Sequence, residues 1–299
     1  MPSTTANGII LEYETAGDPS DPPLLLVMGL GAQLITWPAD FVEGLVDQGF
    51  HVIRFDNRDS GKSTWFDGAG MPNLIAALGG TFDAAYLLED MAADALGLLD
   101  ALGIKTAHVV GASMGGMIAQ TMAIKAPARV RSLVSIMSTT GAADVGQPRP
   151  EVLPMLLRPA AASRQDAIDA GVTSWRAIGS PAYTTDEAEA RERIAVAYDR
   201  AYHPVGTARQ LVAILASGDR TAALGGLDVP TLVIHGDADP LVDPSGGRAT
   251  AAAIPGAQLQ VVPGMAHDLP AELCGGLVVS IAAHAHAHDR RLAESESAA

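Results

Sequence analysis

Short apolar runs, each closed by small or polar turn residues, recur along this chain and set its fold class. Leu24–Met28 (LLLVM) ends in Gly29-Leu30-Gly31, and His51–Phe55 (HVIRF) ends in the polar turn DNRDSGKS. Ala107–Val110 (AHVV) runs into GASMGG, and Ser132–Met137 (SLVSIM), Thr231–His235 (TLVIH) and Gln258–Val262 (QLQVV) complete the set. Between them, Leu87–Leu102 carries apolar residues at helical spacing, and Met114–Lys125 reads as a helix. Hydrophobic strands alternating with helices predict an α/β fold, a mostly parallel sheet flanked by helices on both faces.

The rhythm stops between Thr139 and Gly225. Pro148, Pro150, Pro154 and Pro159 break up the first part, and Arg164–Ile178 and Asp186–Tyr202 then read as helices. The stretch is too long for an ordinary crossover. Residues 140–224 are therefore expected as a helical cap inserted into a core made of 1–139 and 225–289. The polar end, 290–299, is expected to be a flexible tail.

The strongest local signal is Gly111-Ala112-Ser113-Met114-Gly115, directly after AHVV and before a helix. A tight strand-to-helix turn needs small flanking residues, and it lifts Ser113 above the sheet with the Met114 N–H aimed at the same space. A serine hydroxyl becomes a nucleophile only when a base takes its proton and a carboxylate orients that base. The turns after the last two strands supply candidates. His267 follows QLQVV as the base, and Asp239 follows TLVIH as the orienting acid, with Asp237 as its rival two residues away. Two oxyanion donors are expected, the N–H groups of Leu30 and Met114. Gly29 and the aromatic residues Trp175, Tyr198 and Tyr202 are candidates for the substrate pocket; the cap aromatics could equally pack the cap on itself.

The remaining histidines fit structural roles better. His235 lies within a strand, His51 and His108 lie at strand starts on the wrong edge, and His203 breaks the chain order. Asp268 reads as a surface or turn residue, and Arg58 as a brace for its own turn. His284 and His288 stand four apart, a metal-ligand spacing, but no third ligand accompanies them, so no metal site is expected.

Charge and cysteine content narrow the partners. The 299 residues hold 19 Lys+Arg against 34 Asp+Glu, a formal net charge of −15. Phosphate backbones and anionic membrane surfaces are held by clustered Lys and Arg, so neither is expected as a partner. Cys274 is the single cysteine, which excludes an intrachain disulfide and any multi-cysteine metal site. The N-terminal sequence MPSTTANGIILEYETAG has no basic start leading into a long apolar core, and a cytoplasmic protein is expected. A small-molecule partner is expected; the sequence leaves the oligomeric state open.

These motifs resemble those of the α/β-hydrolase superfamily, in its serine-nucleophile branch. GASMGG resembles the nucleophile elbow, HGDADPLV the acid loop, GMAHDLP the histidine loop, DNRDSGKS the D-x-R-G-x-G-x-S turn and VMGLG the HG-type oxyanion loop. Two positions depart from the pattern: Met28 stands where the HG loop has histidine, and Asp59 where the turn has glycine. The stretch IPGAQLQVVPGMAHDLP and the MG loop are similar to aclacinomycin methylesterase-like bacterial esterases, which implies hydrolysis of a carboxylic methyl or other small ester. The resemblance implies no metal or organic cofactor. A serine nucleophile also argues against the dehalogenases and epoxide hydrolases of this fold, which use aspartate. It leaves perhydrolysis, C–C hydrolysis, acyl transfer and a non-catalytic ligand receptor as alternatives.

Overall fold

The computed structural model describes residues 1–183 and 186–298. Its strands are β1 (Ser3–Ala6), β2 (Ile9–Ala16), β3 (Pro23–Val27), β4 (His51–Phe55), β5 (Ala107–Ala112), β6 (Val130–Ile136), β7 (Thr231–Gly236) and β8 (Gln258–Val262). They form one eight-stranded sheet in the order β1-β2-β4-β3-β5-β6-β7-β8. From β4 to β8 every pairing is parallel, while β1 and β2 run antiparallel at one edge.

The helices of the core are α1 (Ala39–Asp47), α2 (Leu74–Leu78), α3 (Leu88–Ala101) and α4 (Met114–Lys125). Between β6 and β7 come α5 (Leu153–Leu156), α6 (Arg164–Ile178), α7 (Glu187–Arg200), α8 (Pro204–Ser217) and α9 (Thr221–Leu224). After β7 follow α10 (Ser245–Ala253) and α11 (Ala271–Ala298), which takes in most of the stretch expected as a loose tail; Ala299 lies outside the described residues. No described helix is long and apolar enough to cross a membrane.

The unbroken apolar runs are explained by burial on both faces of the sheet. In β3, Leu25 and Val27 join Met91, Leu98 and Ile118 of α3 and α4, whereas Leu24 and Leu26 join Phe41, Leu45, Leu277 and Ile281 of α1 and α11. Alternate side chains point to opposite faces, so a strand covered twice is apolar at successive positions, as β3 is.

Among the elements that the sequence pattern did not single out, two bear on the site and its support. The β1–β2 hairpin turns at Asn7-Gly8, both with positive φ (49° and 77°). Asn-Gly is the strongest short hairpin signal, and the chain before Leu24 carries it. The other is α8, which begins with Pro204 in its first turn and buries Ala208, Leu211, Val212 and Ala213. The ends of the insertion are tied together by Arg220, whose N–H donates to Thr140 O at 2.9 Å and whose guanidinium donates to Thr139 O at 2.9 Å.

Asp59 shows what its departure from glycine achieves. It adopts φ +63°, the left-handed backbone that glycine enters freely, and its carboxylate is fully buried. Arg209 on α8 grips it with two bonds of 2.7 Å, while the Tyr86 hydroxyl and Phe66 N–H donate at 2.7 and 2.8 Å. Next to it, Arg58 forms a second buried pair with Asp94 of α3 at 2.6 Å, so it braces the turn against a helix.

Arg209→Met strands a buried carboxylate and is expected to cost about 3–5 kcal/mol. Urea unfolding checks this, with the double variant Asp59→Gly/Arg209→Met losing less than Arg209→Met alone. Burial pushes the Asp59 carboxyl up, but the Arg209 fork, the Phe66 N–H and the Tyr86 hydroxyl outweigh it and hold it below the ordinary range. A carboxyl with a lowered folded value contributes stability that is complete above about pH 4 and lost as pH falls through that value.

Candidate active site

Three side chains meet above the carboxyl ends of the parallel strands. Ser113 follows β5, Asp239 follows β7 and His267 follows β8, so each rides on a turn leaving the same edge of the sheet. His267 Nε2 lies 2.9 Å from Ser113 Oγ, and His267 Nδ1 lies 2.8 Å from Asp239 Oδ2. An ionised carboxylate only accepts, so Nδ1 carries the proton and Nε2 presents its lone pair to the serine hydroxyl.

The turn around Ser113 accounts for its small neighbours. Ser113 sits at φ 56°, ψ −122°, strained for a residue with a side chain. A Cβ on Gly111 would lie 2.1 Å from Gly115 O, and one on Gly115 would lie 2.0 Å from Val27 O. Only glycine fits at either place. The turn is pinned from β6: Ser113 N–H donates to Ile136 O at 2.9 Å, and Ser138 Oγ donates to Ser113 O at 2.8 Å.

Asp239 is fully buried and its carboxylate is saturated. Oδ1 accepts from the N–H groups of Leu241 and Val242, each at 2.9 Å, leaving Oδ2 for the imidazole. Burial pushes this carboxyl up; the electrostatic pull of His267 on the ionised form and the bonds from His235, His267 and Val242 outweigh it, and the net displacement is well below the usual range. His235 was expected as a core histidine. It is buried, with Nε2 2.9 Å from Val242 O, and the same nitrogen stands 3.5 Å from Asp239. Asp237 points elsewhere and accepts from Gly264 N–H at 2.7 Å.

Gly29 packs against the serine: a Cβ there would sit 3.1 Å from Ser113 Cβ and 3.6 Å from Oγ. The loop of Leu30 is held without the missing histidine. Asn57 Nδ2 donates to Met28 O at 2.9 Å, Gln210 Oε1 accepts from Gly31 N–H at 2.7 Å, and Asp56 Oδ1 accepts from Leu34 N–H at 2.7 Å. Among the described hydrogen bonds, the N–H groups of Leu30 and Met114 have no protein acceptor. Gln210 was absent from the sequence reading. It also donates to Arg58 O at 2.7 Å, so α8 bridges the two loops.

The aromatic candidates divide. Trp175, at the end of α6, has a buried indole N–H with no bonded partner and lies against the histidine loop, since a Cβ on Gly179 would touch both Trp175 Nε1 and Asp268 Oδ2. Tyr198 and Tyr202 instead pack on each other, with ring centroids 4.6 Å apart and planes tilted by 32°. Tyr202 is 38% exposed and accepts from Ala161 N–H, a contact within the insertion. Asp268 is also more than a surface residue. It is half-buried, bonded to Ser180, and burial pushes its carboxyl upward against those bonds. His284 Nε2 lies 3.2 Å from Pro230 O, and no group of three metal-ligating side chains occurs among the described residues.

With this arrangement in place, the comparisons with known proteins point one way. The model of the alpha/beta hydrolase fold family matches residues 22–272, and the chain belongs to that family. It is similar to rhodomycin D methylesterase DauP of Streptomyces sp. (strain C5), 32% identical across 95% of this chain and 97% of that protein. It is also similar to 3-oxoadipate enol-lactonase 2 of Acinetobacter baylyi (strain ATCC 33305 / BD413 / ADP1), 26% identical across 82% of this chain and 81% of that protein. Among solved structures, the enol-lactonase from Burkholderia xenovorans LB400 superposes with a TM-score of 0.76 at 26% identity, covering 95% of this chain and 99% of that one.

Proposed function

We propose that this protein is a serine esterase acting on small carboxylic esters, methyl esters foremost, through an acyl-enzyme. The observation that carries the reading is the line Asp239–His267–Ser113, with bonds of 2.8 and 2.9 Å. Similarity to a methylesterase and to enol-lactonases, whose names specify ester or lactone substrates, supports the same chemistry.

In this mechanism, Ser113 Oγ attacks the ester carbonyl carbon as His267 Nε2 takes its proton. Asp239 holds the imidazole in one tautomer and balances the charge that the imidazolium acquires. The carbonyl oxygen becomes an oxyanion against the N–H groups of Leu30 and Met114. His267 then gives its proton to the departing alkoxide oxygen, and the alcohol leaves. A water deprotonated by the same imidazole attacks the acyl carbon, and Ser113 recovers its proton as the acid is released. The insertion of residues 140–224 serves as a cap over this site, with Trp175 as one wall of the acyl pocket.

A p-nitrophenyl ester chain-length series, with methanol release from carboxylic methyl esters measured alongside, tests the proposal. Turnover of short esters with a single optimum is the expected result. A folded protein that turns over no ester would sink it.

A further inference from the structure

The insertion is bonded to the loop that carries His267, at three successive residues. Ala266 N–H donates to Ser180 Oγ at 2.8 Å, and His267 N–H donates to Ile178 O at 2.9 Å. Asp268 Oδ1 accepts from Ser180 N–H at 3.0 Å and from the Ser180 hydroxyl. Just upstream, Tyr183 OH donates to Pro263 O at 2.8 Å. Ser180 thus acts as both donor and acceptor between Asp268 and Ala266, with His267 held between them.

The topology explains why such a clamp is needed. β8 is an edge strand with a neighbour only on the β7 side, so the loop leaving it has no flanking strand to bond its far side. Ser113, by contrast, leaves β5 in the middle of the sheet and is pinned by β6. The main chain of His267 therefore takes its outer support from Ile178–Ser180, the last residue of α6 and the two that follow it.

We propose that Ile178–Ser180 and Asp268 form a latch through which the cap holds His267 in line with Ser113 and Asp239, making Ser180 and Asp268 positioning residues. The inference rests on the serine-esterase reading above. A base that drifts by an ångström loses rate while the substrate-binding surface stays in place. The signature is therefore a loss in kcat at nearly constant KM.

The test uses Ser180→Ala, Asp268→Ala and Asp268→Asn in the full chain, with p-nitrophenyl acetate as substrate. Active sites are counted by the mass added on stoichiometric labelling with a serine-reactive fluorophosphonate, so unfolded protein does not enter kcat. Ser180→Ala and Asp268→Ala are each expected to lower kcat per labelled site by roughly 10- to 100-fold with KM within about threefold. Asp268→Asn keeps an acceptor for Ser180 and is expected to retain most of the rate lost in Asp268→Ala. If the alanine variants lose labelled fraction or melting temperature while kcat per labelled site stays within twofold, the pair is merely structural and the latch is overturned. If the wild type itself neither labels nor turns over any ester, the serine-esterase reading fails and the latch falls with it; that failure shows in the wild type, not in the variants.

Discussion

Ser113→Ala is expected to lower kcat on the best p-nitrophenyl ester by about 10⁴- to 10⁶-fold while leaving KM little changed. The hydroxyl makes the bond that forms in the transition state, and its removal leaves His267 only water to deprotonate. The Leu30 and Met114 donors remain, so a residual rate above the uncatalysed reaction should survive. Alanine occupies the same φ 56° backbone as the serine, and the turn is held by main-chain and Ser138 bonds that the substitution leaves intact. The variant should therefore fold with a melting temperature close to wild type. Intact-mass analysis after fluorophosphonate treatment gives the direct check: one adduct on the wild type and none on Ser113→Ala. An adduct that persists on the variant would place the nucleophile elsewhere.

The second large effect separates the two acidic candidates. Asp239→Asn should reduce kcat about 10⁴-fold, because an amide beside Nδ1 can donate and so favours the wrong imidazole tautomer. Asp237→Asn should stay within about threefold: Asp237 only accepts from Gly264 N–H, which an asparagine oxygen can also do. Comparable losses in the two variants, or the reverse order, would refute the assignment of Asp239. Asp239 also leaves a trace in stability. Its lowered carboxyl is charged throughout the neutral range, so the stability it contributes is complete above about pH 4 and declines as pH falls. Acid unfolding of Asp239→Asn should lack that component.

The parts of the fold legible in the sequence were those governed by local rules. The strands β3–β7 announce themselves because burial on two faces leaves them mostly apolar, whereas the edge strand β8 is largely exposed and shows only as a short apolar run, and α6 announces itself because capping by Ser163 and periodicity agree. Ser113 was legible for a similar reason. The clash of any Cβ at Gly111 or Gly115 with neighbouring main chain forces glycine at fixed spacing, and that spacing survives in the one-dimensional text. The β1–β2 hairpin carried a readable Asn-Gly turn. α8 was hidden because it mixes buried apolar residues with Arg209 and Gln210, whose place in the interior depends on partners far away in the chain.

Asp59 and Met28 illustrate the same boundary. As sequence they are departures from a motif. In the folded chain Asp59 is the buried counter-charge of Arg209, 150 residues later, and the main chain of Met28 is held by Asn57, 29 residues later. Tyr198 and Tyr202 were open between two roles, pocket wall or packing within the cap; in the folded chain their rings lie 4.6 Å apart and the Tyr202 hydroxyl accepts from Ala161 N–H, a contact within the insertion.

By itself the sequence determined the class of fold, the turn that carries Ser113 and the order in which Ser113, Asp239 and His267 occur. Each of these follows from periodicity or from close packing between neighbours in the chain. The tertiary structure alone decided between Asp239, which the loop placement put first, and Asp237 as the partner of His267, and showed that Gln210 and Asn57 hold the loop of Leu30 and that Ser180 reaches the histidine loop. Those choices depend on where a side chain points after strands distant in sequence have been brought side by side, and no local pattern encodes that direction.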